Sequence, residues 1–154
     1  MAVSRKPESI EQLAAEEMRS RLQESNTAKQ FGFVLVEAQR GKVVLRMNVN
    51  ERHLQLHGVV HGGVLAALAD TAGGLATHMA CPHGTRVATI EMKINYLEAV
   101  EGGYVIAEAK VVRIGRHIAV VDCDLHDGAG LLVSKALMTF FVGPFPKRRK
   151  SKRG

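Results

Sequence analysis

Residues 57–80 read "HGVVHGGVLAALADTAGGLATHMA", and between His53 and Thr85 the single formally charged side chain is Asp70. The run is apolar and rich in alanine. It predicts a helix from about Val64 to Met79 that is hydrophobic nearly all round, and such a helix is buried on most of its sides. Carboxylates are almost never buried without a partner or a purpose. Asp70 is therefore either satisfied by a neighbouring hydroxyl such as Thr71, or placed to act as a general base or nucleophile.

On both sides of this helix the hydrophobic period changes from helical to two. Before it, "FGFVLVEAQ" and "GKVVLRMNV" alternate as strands, with "QRGK" as the hairpin turn between them. After it come four more alternating runs, in which Ile90, Met92, Ile94 and Tyr96 share one face of the first and Ala119, Val121, Cys123 and Leu125 share one face of the third. "VEGG", "RIGRH" and "HDGAG" separate them. Links this short exclude parallel crossovers, so these strands are expected to be antiparallel neighbours. At the start, residues 8–24 carry Ile10, Leu13, Ala14 and Met18 at helical spacing and predict an amphipathic surface helix. The fold class expected is α+β: an antiparallel sheet of about six strands wrapped around one long central helix, plus an N-terminal helix. The expected organisation is a helical segment over 1–30, one domain over 31–143 and a basic tail over 144–154.

The 154-residue chain suffices for one hydrophobic core, and 46% apolar with 23% charged residues is an ordinary soluble composition. No apolar run reaches the roughly 18 residues of a bilayer span, and "MAVSRKPESIEQ" has no apolar stretch of the secretory kind. The expectation is a cytoplasmic protein without membrane contact, and its two thiols, Cys81 and Cys123, fit a reducing compartment. The net charge of +6 suggests nucleic acid until it is located: six of the 21 Lys and Arg fall in the terminal "KRRKSKRG". The fifteen that remain balance fifteen Asp and Glu, which argues against a nucleic-acid partner for the body of the chain.

"HGVVHGG" runs directly into the central helix. Glycines there let a ligand approach the backbone, and the first N–H groups of a helix lack internal partners and sit at the positive end of its dipole. This is a ready oxyanion-stabilising device. Gly62 and Asp70 stand eight positions apart, about 12 Å along a helix axis at 1.5 Å per residue. One carbonyl carbon cannot reach both. If both serve one reaction, two antiparallel helices related by a two-fold axis must bring Gly62 of one copy beside Asp70 of another. Leu65, Leu68, Ala69 and Gly73 are the helix residues expected to line the pocket.

The stretches "LHGVVHGGVLAALADTAGG", "TIEMKINYLEAV" and "GGYVIAEAKVVRIGRHIAVVDCDLHDGAGLLVSKALMTFF" together resemble the hotdog-fold acyl-CoA thioesterases of the phenylacetate-degradation (PaaI-like) group. The resemblance spans residues 31–142. It implies the hotdog fold, an acyl-CoA substrate, hydrolysis without metal or cofactor, and a homo-oligomer, a dimer or dimer of dimers, with sites at subunit interfaces. Position by position it implies that Asp70 activates water or attacks the thioester, that the Gly62 N–H polarises the carbonyl, and that His61 positions. It further implies that Gln55 orients water or carbonyl and that Thr89 assists the lytic water. Tyr96, Arg113, Gly115, Arg116 and His117 fall where relatives contact the CoA moiety, and the two arginines suit phosphates on chemical grounds as well. Gly74 departs from relatives that carry a hydroxyl there, which leaves water orientation to Gln55 or Thr89.

Three other readings of the same residues stand beside this one. His53, His57 and His61 recur every four residues, but Gly58, Gly62 and Gly63 break the helix that would stack them for a metal. A hydratase or dehydratase of acyl thioesters would pair His61 with Asp70 as acid and base. A non-catalytic acyl-CoA or nucleic-acid binding module would use the basic tail.

Overall fold

The computed structural model describes residues 9–144; the basic tail singled out above lies outside them except for Pro144. The N-terminal helix α1 (Ile10–Glu24) begins with a reciprocal cap, in which Ser9 Oγ accepts the Gln12 N–H and the Gln12 side chain accepts the Ser9 N–H. Met18 and Leu22 are its buried residues, whereas Leu13, expected inward, is half exposed. A short second helix, α2 (Asn26–Phe31), follows at once and ends on Gly32, whose φ of 68° turns the chain into the first strand. Phe31, expected in that strand, is therefore the last residue of a helix.

The strands are β1 (Phe33–Gln39), β2 (Lys42–Asn48), β3 (Arg86–Tyr96), β4 (Tyr104–Ile114), β5 (Ile118–Asp127) and β6 (Leu132–Gly143), and the central helix is α3 (Gly62–Ala80). They form one antiparallel sheet in the order β1-β2-β4-β5-β6-β3. One expectation is corrected here: β3 and β4 follow each other in sequence but are not neighbours. The link 97–103 carries the chain away from β3, which pairs instead with β6 and forms a free edge of the sheet.

The sheet closes on α3 because the contact surfaces are small. Ala69, Ala72 and Ala76 on the helix, and Ala107, Ala109, Ala119 and Ala136 on the strands, are all inaccessible to solvent. Leu45, Met47, Leu68, Met138 and Phe140 fill the space between them. Fully burying a side chain of that size contributes about 1.5–3 kcal/mol.

Irregular register explains several exposed apolar residues. Single-residue bulges at Val36, Ile90 and Val112 interrupt the pairing of β1, β3 and β4, and all three side chains are more than half exposed. The bulge in β3 is the important one. Thr89 and Met92 are three residues apart and would point to opposite faces of a regular strand. With Ile90 taken out of register, Thr89 shares a face with Met92 and Ile94, which pack on the core, and reaches Asp70 on α3.

Candidate active site

β3 runs beside α3, and two of its side chains touch the helix at the two positions that matter. Near its start, Thr89 Oγ1 donates to Asp70 Oδ1 at 2.7 Å. At its end, Tyr96 Oη donates to the Gly62 carbonyl at 2.9 Å. The expected alternative partner of Asp70 does not serve: the Thr71 hydroxyl donates to the Ala67 carbonyl at 2.7 Å, one turn back along the helix. Asp70 is half buried and opens into a cleft of about 290 Å³, between α1, the middle of α3 and the first part of β3.

Gly62 lies in a different cleft, of about 350 Å³, formed by Val59, Val60, Leu65 and residues 96–100. His61 is the N-cap of α3: its Nδ1 accepts the Gly63 N–H at 2.8 Å, and its backbone carbonyl accepts the Val64 N–H. Among the described residues no acceptor takes the Gly62 N–H. That donor is free at the positive end of a 19-residue helix. A Cβ on Gly62 would stand 2.9 Å from Tyr96 Cζ, so the close approach of the Tyr96 ring requires glycine.

The other expected site residues fall into two groups. Gln55 is half buried in the loop between the 3₁₀ turn (Glu51–His53) and α3, where its Oε1 accepts the His57 N–H at 2.8 Å. Arg113 is exposed near the end of β4, and Gly115, Arg116 and His117 form the exposed β4–β5 turn, where His117 stacks on Phe141 with centroids 6.4 Å apart. None of these four lines either cleft of the protomer.

The expected pocket lining is largely corrected. Leu68 and Ala69 are fully buried core residues, and Gly73 is pressed against Met138 and Phe140. Only Leu65 lines a cleft. Residues that sequence reasoning missed line the Asp70 cleft instead: Leu22 from α1 and Ser25 just after it, Val87 and Ala88 from β3, and Leu75 and His78 from α3. The signal available was the helical spacing of Asp70, Gly74 and His78, which share one face at intervals of four.

The three histidines do not converge on a metal. His53 is buried, with Nδ1 accepting the Asn50 N–H at 3.1 Å, while His61 is engaged with Gly63 and His57 is exposed. Burial holds the imidazoles of His53 and His78 below the ordinary range, and it pushes the Cys81 thiol up.

The structure thus sets a carboxylate in mid-helix and a free glycine N–H at the helix start, inside an antiparallel sheet closed on that helix. The family model described as Thioesterase superfamily matches residues 57–134. Acyl-coenzyme A thioesterase 13 of Pongo abelii is 31% identical over 111 residues, covering 71% of this chain and 79% of that protein. The 1,4-dihydroxy-2-naphthoyl-CoA hydrolase of Listeria monocytogenes is 29% identical over 120 residues, covering 78% and 95%. Among solved structures, a thioesterase from Haemophilus influenzae superposes with a TM-score of 0.78 at 27% identity, covering 94% of this chain and 96% of that one. The PaaI protein of the E. coli phenylacetic acid degradation operon shares the fold, with a TM-score of 0.80 at 24% identity over 86% of this chain and 95% of that one. The chain belongs to the thioesterase superfamily, has the hotdog fold of that family, and is an enzyme of thioester hydrolysis. No helix among the described residues is long and apolar enough to cross a membrane.

Proposed function

We propose that the protein hydrolyses acyl-CoA thioesters to the free acid and CoA, at sites built from two copies of the chain. The observation that carries this reading is the separation of the two catalytic features. Asp70, held by Thr89, opens into one cleft, and the unpaired Gly62 N–H lies in another. In each protomer they stand about 12 Å apart along α3.

β3 supports the assembly. It is a free sheet edge, and Ile90, Tyr96 and Leu97 along it are all about half exposed. Pairing this edge with the same edge of a second copy, about a two-fold axis, would lay the two α3 helices side by side in opposite directions. Each Asp70 would then face the Gly62 of the other copy. The assembly is a dimer of this kind or a dimer of dimers, in the cytoplasm, where the free thiols Cys81 and Cys123 are at home.

In this site the thioester carbonyl oxygen lies against the Gly62 N–H, which stabilises the oxyanion as charge develops. Asp70 deprotonates a water that attacks the carbonyl carbon, the C–S bond breaks, and the departing sulfur takes up the proton that Asp70 accepted. Alternatively the carboxylate attacks directly and CoA leaves; water then hydrolyses the acyl–Asp70 anhydride to the free acid and the carboxylate, its second proton going to the CoA sulfur. Thr89 fixes the carboxylate by donating to Oδ1 and leaves Oδ2 for the reaction. Gln55 orients the water or the carbonyl, and His61 holds the glycines in place through its cap. Tyr96, Arg113 and the turn of Gly115, Arg116 and His117 bind the pantetheine and phosphates, the arginines by charge-assisted hydrogen bonds.

Thiol release from aromatic, short-chain and long-chain CoA esters tests the activity, and co-expression of two inactive variants tests the shared site. Gly62→Pro removes the donor at a helix position where proline is tolerated. Mixed with Asp70→Asn, it leaves one intact site in each heterodimer, so random mixing restores about a quarter of wild-type activity. A mixture as dead as its components, or a fully active monomer, refutes the shared site. Formation of a hydrated acyl-CoA from an enoyl-CoA, with no free thiol, refutes hydrolysis.

A further inference from the structure

The two adjacent glycines of α3 differ in what their missing side chains leave behind. A Cβ on Gly73 would stand 2.6 Å from Met138 Cε and 3.1 Å from two Phe140 ring atoms, so Gly73 is glycine because the core is packed against it. A Cβ on Gly74 would meet Phe140 Cε1 at 3.7 Å, an ordinary contact, with nothing closer. Neither backbone conformation requires glycine, since neither has a positive φ. The helix therefore carries at Gly74 a residue that weakens it, without a packing reason.

The reason lies in the cleft. Asp70, Gly74 and His78 follow one another at intervals of four and all line the space that Asp70 opens into. From the carboxylate to His78 this face measures about 12 Å along the axis. Its lining is mixed: Leu22, Leu75, Val87 and Phe140 give it apolar surface for an acyl chain, and Arg21, Thr71 and His78 add polar groups. At its far end Arg21 and His78 also border a larger recess of about 610 Å³ between α1 and residues 78–84. A side chain at Gly74 would stand midway along this slot.

Resting on the reading of the Asp70 cleft as the thioester site, we propose that Gly74 determines acyl length: it keeps open a slot along α3 in which an extended, medium-length acyl group lies from Asp70 toward His78. A side chain there cuts the slot to the one helical turn next to Asp70, enough for a short acyl group alone.

The test compares decanoyl-CoA with butanoyl-CoA on the full chain. In wild type the ratio of kcat/KM, decanoyl over butanoyl, favours the longer ester. Gly74→Leu lowers this ratio at least tenfold, and Gly74→Ala lowers it less. Thermal melting verifies that both variants fold. A ratio in Gly74→Leu within twofold of wild type overturns the slot, even while Asp70→Asn abolishes turnover and leaves the thioesterase reading intact. Binding of the non-hydrolysable thioethers S-decyl-CoA and S-butyl-CoA reads the slot without turnover. The decyl advantage in affinity falls in Gly74→Leu if the slot exists and is unchanged if it does not, whatever becomes of the hydrolysis reading.

Discussion

Thr89 and Asp70, nineteen positions apart in sequence, are joined by a 2.7 Å hydrogen bond from the strand hydroxyl to the helix carboxylate. The bond engages one oxygen of Asp70 and sets the direction of the other. It gives the lone acid of the central helix a fixed orientation inside a cleft, which a carboxylate free to rotate would not have.

Replacing Asp70 with asparagine keeps the shape and removes both basicity and nucleophilicity. Turnover of an acyl-CoA should fall by about a hundredfold to ten-thousandfold, with little change in the affinity for a non-hydrolysable analogue. A wild-type rate in Asp70→Asn would show that another group does the chemistry.

Thr89→Val removes the donor while conserving volume. A hydrogen bond to a charged group is worth about 1.5–3 kcal/mol, which bounds the loss in kcat at roughly tenfold to hundredfold, the lower end applying at this exposed site. Thr89→Ser should recover most of it. Equal rates for the valine and serine variants would mean that the hydroxyl plays no part.

Gly62→Ala keeps the backbone donor but drives a methyl group into the Tyr96 ring. The ring is half exposed and can swing away, so the fold survives while the approach to the N–H narrows. Turnover should drop about tenfold, and Tyr96→Ala in the same chain should return part of the loss, a non-additivity of roughly 0.5–3 kcal/mol. Strictly additive losses in the double variant would separate the two residues.

Stability should decline on mild acidification. His53 and His78 are held below the ordinary imidazole range mainly by burial, so the unfolded chain takes up protons that the folded chain refuses. Their contribution is whole above about pH 6.5 and is lost as pH falls below it. Glu17 and Glu108, lowered chiefly by hydrogen bonds to Arg21 and Lys110, add a further loss only below the carboxylate range. Urea midpoints at pH 7.5, 6.0 and 5.0 measure the slope, and a His53→Gln variant should show a shallower one. Midpoints independent of pH over this interval would contradict the burial of both rings.

The neighbouring glycines should respond oppositely to alanine. Gly73→Ala overpacks the core against Met138 and should destabilise by about 1–3 kcal/mol. Gly74→Ala removes a helix-weakening residue without a clash and should stabilise by about 0.5–1 kcal/mol. Urea denaturation of the two variants settles the contrast, and the same sign for both would undo it.

What the sequence revealed depended on how local each feature is. Periodicity placed α3 within two residues at its start and one at its end, because an apolar helix bounded by "HGG" and Pro82 announces itself. The alternating strands were equally legible. The pairing of β3 with β6 was not, since short links specify direction and leave open which strand lies alongside. The bulges were hidden too, because Ile90 and Val112 are as apolar as the residues they displace. In the site, Asp70 stood out by being the one charge in its stretch. The pocket lining was misread because Leu68, Ala69 and Gly73 satisfy the same hydrophobic pattern whether they face a ligand or the sheet.

The extra residue in β3 makes the strand's two halves independent in their facing. Excising Ile90 alone would restore a regular ladder to β6 with Thr89 still opposite Phe140, because the residue removed is the one without a partner. Thr89 and Met92 would then stand two positions apart and go on facing the helix together. A lesion of one codon there would thus leave both the scaffold and its armed acid standing, so chains of this architecture that are one residue shorter in that strand still match hydroxyl to carboxylate.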